Sequence, residues 1–120
     1  MPELGPNDVF ALDSSIRWVG LATKRGQVIF VQMRPGVRSL TPDTDDRLLL
    51  EVRAQYITDV CNQVDQWGGP TEYIAMAHEK FIELIIMLKE KYMVMTLEKN
   101  VSGENVANLA KRAQQLWFNL

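Results

Sequence analysis

Apolar residues recur along this chain with two periods, and the change from one to the other marks its elements. Ile16–Thr23 and Gln27–Met33 are short stretches rich in branched and aromatic residues, joined by Lys24-Arg25-Gly26, and read as an antiparallel hairpin. Arg34-Pro35-Gly36 ends the second strand. Thr41-Pro42-Asp43 then has the makings of a helix start: a capping hydroxyl, Pro at the first helical position and carboxylates where the dipole favours them. The matching stop is Gly68-Gly69-Pro70. Beyond it Thr71–His78, Ile82–Leu88 and Tyr92–Leu97 read as three more strands, separated by the charged turns Glu79-Lys80 and Lys89-Glu90-Lys91. A last helix starts near Ser102, with Glu104 in its first turn. Residues 1–15, with Pro2, Gly5 and Pro6, form an arm with one helical turn expected around Val9–Leu12, and residues 16–120 form one domain of order ββαβββα.

The two helices differ in the width of their apolar faces. In the last one Val106, Leu109, Ala110, Ala113, Leu116, Trp117 and Leu120 fall within about 120°, the width of a helix lying on a sheet with its back in water. In the long one Leu48, Leu49, Leu50, Val52, Tyr56, Ile57, Val60, Cys61, Val64 and Trp67 cover more than about 180°. After one flank packs on the sheet, a second still needs cover, and the same helix of a second copy is the simplest closed solution. Arg53 lies inside this arc, so its guanidinium is expected either to snorkel to the rim or to meet a carboxylate, a partner subunit's included. Trp67, at the helix end, reads as a core or interface anchor rather than a ligand platform.

Composition narrows the function classes. The 120 residues are 47% hydrophobic and 23% charged, with 13 Lys+Arg against 15 Asp+Glu, which suits one globular domain and not a disordered tail. A pI near 5.4 with no surplus in either half argues against nucleic-acid binding. The longest apolar run, Leu84 to Leu88, is far short of a membrane span, and Met1 to Ser15 has no basic start of the kind a signal peptide carries. A single cysteine, Cys61, fits a reducing cytoplasm.

Candidate chemistry is thin. His78 and Cys61 are too few for a zinc site, and His78 has no nucleophile elbow near it; it reads as a strand-end residue, and Cys61 as a small buried hydrophobe. Asp45 and Asp46 read as a solvated helix start, with Glu79 and Glu83 at strand edges. Gly20 to Gly26 is strand and hairpin, not a phosphate loop. No catalytic residue, cofactor or metal is expected, and an enzyme is the least favoured class. Met87, Met93 and Met95 read first as core filler, with a flexible ligand pocket as the other reading. From Ser14 to Pro42 the charges are all basic: Arg17, Lys24, Arg25, Arg34 and Arg38. Most are expected to be solvated hairpin ends, with Arg34 and Arg38 the candidates for contacts to a partner or an anion.

Several segments carry a resemblance. Ile16-Arg17-Trp18-Val19-Gly20-Leu21-Ala22-Thr23 with Gly26-Gln27-Val28-Ile29, the Gly68-Gly69 helix exit, Tyr73-Ile74, His78-Glu79-Lys80-Phe81 and Tyr92-Met93-Val94-Met95 look like the roadblock family, within the profilin-like and longin-like architecture, and in particular like an archaeal branch of it. The similarity spans roughly Ile16 to Leu116. It implies an α+β fold: a five-stranded antiparallel sheet in the order 2-1-5-4-3, a long helix on one face and the C-terminal helix on the other. It also implies a homodimer with long helices side by side and third strands edge to edge. That places Leu49, Val52, Arg53, Tyr56, Ile57, Val60, Val64 and Trp67 of the helix, with Tyr73 and Ala75 of the strand, at the interface. Relatives are non-enzymatic platforms that often contact small GTPases. The N-terminal arm, too short for a full first helix, departs from the family pattern. The expected function is thus a homodimeric regulatory or scaffold module that binds a protein partner such as a small GTPase; the alternative is a small-molecule sensor with a pocket between sheet and helix.

Overall fold

The computed structural model describes residues 4–38 and 46–118, so the expected helix start at Thr41-Pro42-Asp43 lies outside the described residues. The elements are α1 (Pro6–Phe10), β1 (Ile16–Thr23), β2 (Val28–Met33), α2 (Asp46–Tyr56), a π turn (Ile57–Cys61), α3 (Asn62–Gly68), β3 (Tyr73–Ala77), β4 (Phe81–Met87), β5 (Lys91–Glu98) and α4 (Gly103–Phe118). The five strands form one antiparallel sheet in the order β2-β1-β5-β4-β3. α2, the π turn and α3 are consecutive and make up the long helix, which Gly69 stops with φ +81°, its N–H bonding to Asp65 O at 2.9 Å. Ser102 caps α4, its Oγ accepting from Asn105 N–H at 3.2 Å.

Alternation along the strands divides the core in two. Val19, Leu21, Leu84, Ile86, Met93, Met95 and Leu97 point to the face covered by Val106, Leu109, Ala110 and Ala113 of α4 and by Val9 and Phe10 of α1. Trp18, Ala22, Ile85, Tyr92 and Val94 point to the opposite face, under Leu50 and Ala54 of α2. A register shift between Ile16 and Trp18 lets these two residues serve opposite layers, although residues two apart on a regular strand share a face. Gly20 lets α2 approach closely: a Cβ there would lie 2.7 Å from the Trp18 ring and 3.0 Å from a Leu50 methyl. The Tyr92 hydroxyl donates to the Leu50 carbonyl, pinning helix to sheet.

Three local readings differ from this arrangement. The helical turn of the N-terminal segment lies at Pro6–Phe10 rather than Val9–Leu12, because Pro6 starts it and Asp8 Oδ2 accepts from Gly5 N–H at 2.9 Å. β3, where the alternation of Tyr73, Ala75 and Ala77 with Ile74, Met76 and His78 predicts apolar contact on both faces, has apolar cover on one face only: Ile74 and Met76 are half-buried on the α2 side, while Tyr73, Ala75 and Ala77 are exposed at the sheet edge. Glu83 is no strand-edge residue but sits mid-strand on β4, 3% exposed.

Candidate protein-interaction surface

The long helix divides its apolar arc into two flanks. The inner one meets the sheet: Leu50, Ala54 and Cys61 are buried, and Leu49, Arg53 and Ile57 are half-buried beside them. Arg53 forms a two-pronged ion pair with Glu83, Nε to Oε2 at 2.5 Å and Nη2 to Oε1 at 2.9 Å. These hydrogen bonds raise the guanidinium's pKa above its ordinary value. The charge inside the apolar arc is therefore met by a carboxylate of its own chain. The pair explains why Glu83 can be buried, and no spacing rule in the sequence joins residues 53 and 83.

Among the described residues nothing covers the outer flank. Leu48, Val52, Tyr56, Val60, Val64 and Trp67 are between 41% and 80% exposed, Trp67 the most. The chain runs from this flank through residues 68–72 into β3, whose outer edge pairs with no strand among the described residues. Tyr73 and Ala75 are exposed there. Of the residues expected at an interface, the structure thus puts Val52, Tyr56, Val60, Val64, Trp67, Tyr73 and Ala75 at the surface and turns Leu49, Arg53 and Ile57 toward the sheet. Leu48 joins the surface set; its signal in the sequence is the four-residue spacing 48, 52, 56, 60, 64.

The basic residues are placed elsewhere. Arg34 Nε donates to Ile16 O at 2.6 Å, its Nη2 donates to Phe10 O at 2.8 Å and Asp13 O at 2.6 Å, and the guanidinium lies 5.0 Å from the centre of the Phe10 ring. It ties α1 to the hairpin. Arg17 pairs with Glu98 at 2.8 Å and donates to Arg38 O at 2.8 Å, whereas the Arg38 side chain is exposed.

Space for a small ligand beneath α2 is limited. The layer between α2 and the sheet is filled by Trp18, Leu50, Ala54, Ile85, Tyr92 and Val94. Met93 and Met95 are fully buried in the opposite layer, and Met87 is half-buried. An open cleft of about 1070 Å³ lies at the end of the sheet, with Ile57, Cys61, Tyr73, Met87, Lys89 and Lys111 in its lining. Among the described residues no three His, Cys, Asp or Glu side chains come together as a metal site, and no helix is long and apolar enough to cross a membrane.

A five-stranded sheet in this order, with a long helix on one side and a terminal helix on the other, is the fold of roadblock domains. Three solved structures make the likeness specific. MglB of Myxococcus xanthus superimposes with a TM-score of 0.73 at 16% identity, over 99% of this chain and 91% of that one. The gliding protein MglB of Thermus thermophilus gives 0.73 at 12%, over 92% and 80%. The Roadblock/LC7 domain from Streptomyces avermitilis gives 0.64 at 11%, over 93% and 93%. No family model matches the sequence, and no curated protein matches it at significant similarity. At these identities the likeness establishes the fold, and the archaeal branch named above rests on the sequence segments alone.

Proposed function

We propose that this chain is a non-enzymatic regulatory or scaffold module that pairs with a second copy of itself through the long helix and β3, and that the pair holds a protein partner of the small GTPase class. The uncovered outer flank of the long helix carries the proposal. Scaled from their fractional exposures, its six apolar side chains leave roughly 600 Å² open, at the top of the ~300–600 Å² that the largest patch of a monomer spans. A standard interface buries ~800 Å² per partner, and the open edge of β3 supplies backbone N–H and C=O groups for the remainder. A two-fold axis closes such a surface on itself, whereas a head-to-tail contact would leave one copy's flank bare. The GTPase part rests on the roadblock resemblance and on the fold shared with MglB.

The test is to titrate small GTPases of the same organism, loaded with GDP or GTP, into the protein and follow heat and nucleotide release. Saturable binding by at least one nucleotide state is the expected outcome. No binding in either state for any of them removes the GTPase assignment.

A further inference from the structure

The long helix is not a regular α-helix: five residues, Ile57–Cys61, form a π turn in its middle. Its geometric effect falls on the exposed apolar residues. At ~100° per residue, steps of four drift by ~40°, so in an unbroken α-helix Val64 would sit ~160° around from Leu48, and Trp67 ~100°. Leu49, Arg53 and Ile57, the flank that faces the sheet, occupy that same sector, ~100–180° from Leu48. In a regular helix Val64 and Trp67 would therefore turn toward their own sheet. The π turn takes one more residue per turn than an α turn and sets everything after Cys61 back by ~100°. Trp67 then comes back into line with Leu48, and Val64 falls between Val52 and Tyr56. Their exposures of 80% and 60% agree with that displacement.

We infer that the π turn is the device that assembles the interface, steering Val64 and Trp67 out of reach of their own chain and into one stripe with Leu48, Val52 and Tyr56 for a second copy to cover. The four inner residues of this flank are spaced evenly about Thr58, with Tyr56 and Val60 two residues away on either side and Val52 and Val64 six. Two such helices laid antiparallel match Val52 of each copy with Val64 of the other and Tyr56 with Val60, so the occupant is another copy of this chain. Wide helical turns cost hydrogen-bond geometry and concentrate at functional sites. Here Thr58 Oγ donates to Ala54 O at 3.1 Å, supplying a side-chain bond where the backbone pattern changes.

This inference rests on the self-pairing proposed above, and its test separates the two. Sedimentation of the whole chain is compared with that of a variant lacking Thr58, which returns the helix to α register. In parallel, a Cys61→Ala, Val52→Cys, Val64→Cys variant is oxidised and run without reductant, with Cys61→Ala, Gln63→Cys as its control. The expected results are a wild-type dimer, at least a tenfold weaker association without Thr58, and a covalent dimer from the 52/64 pair but not from residue 63. The cross-link uses only exposed positions besides Cys61, so it reads the stripe even if the deletion fails to fold. A dimeric wild type with no 52/64 cross-link, or a folded deletion variant that associates as tightly as wild type, overturns the steering role and leaves self-pairing standing. A wild type that is monomeric at every concentration overturns both.

Discussion

The long helix and α4 are both amphipathic and both lie against the same sheet, yet they end differently. In α4 Val106, Leu109, Ala110 and Ala113 are at most 5% exposed and Leu116 and Trp117 are half-buried, so that among its described residues only Phe118, at the helix end, leaves a large apolar side chain in solvent. In the long helix three of the described apolar residues are buried and six stand in solvent. The contrast teaches that apolar content alone says little about an interface. What matters is the angle over which it is spread relative to the single sheet face available to each helix, and here the π turn holds the surplus outside that face.

The largest expected effects come from the satisfied side of this contrast. Leu109→Ala under α4 and Leu50→Ala under α2 should each cost about 3 kcal/mol in denaturant melts, because both side chains are fully buried. Trp67→Ala, measured at dilutions where the chain is monomeric, should stay within about 0.5 kcal/mol despite deleting more surface. A large loss from Trp67→Ala at such dilutions would erase the distinction between the two flanks.

The inner flank can be probed through its ion pair. Glu83→Leu leaves a partly buried guanidinium without its carboxylate and should cost about 2–4 kcal/mol, while adding Arg53→Leu should restore most of that loss. Chemical denaturation of the four corners of this cycle measures it; equal losses in the single and double variants would show that the pair is not the origin of the cost.

Tyr92 sharpens the same point by pH. Burial, ahead of the nearby Glu51 charge, pushes its hydroxyl from 10.0 up to about 12. The unfolded chain ionises first, so this contribution is complete below pH 10 and is lost as pH rises toward about 12, about 2–3 kcal/mol in all. Urea melts across that range should show the loss in wild type and a smaller one in Tyr92→Phe. Gly20→Ala comes next, expected to cost about 1–3 kcal/mol because the new methyl meets the Trp18 ring and Leu50.

Much of this was legible in the amino-acid order. Ile16–Thr23 coincides with β1, and the other strands lie within two residues of their expected limits, because branched residues, glycine turns and charged turns bracket each one. Gly68-Gly69 stops the long helix where expected, and Ser102 caps α4. The strand order 2-1-5-4-3 came from the family resemblance, since pairing between distant strands leaves no local mark. The apolar surface proposed for docking was legible as an arc and not as two flanks. A fixed 100° wheel cannot register a π turn, and so it merged Leu49, Arg53 and Ile57 with Val64 and Trp67 in one face. The role of Glu83 was hidden for a related reason: its partner is thirty positions away in sequence, and alternation on β4 is masked by apolar residues on both sides. Arg34 looked available for an anion because its carbonyl partners on Phe10, Asp13 and Ile16 come together only when the arm folds back.

The central claim, that the open flank of the long helix is a covered face in solution, is tested most directly by sedimentation equilibrium of the wild-type chain beside Val64→Asp. Wild type at twice the 13.7 kDa chain mass, with Val64→Asp at the chain mass and an unchanged melting temperature at matched low concentration, is what this structure predicts. Identical masses for the two proteins at all concentrations would contradict it.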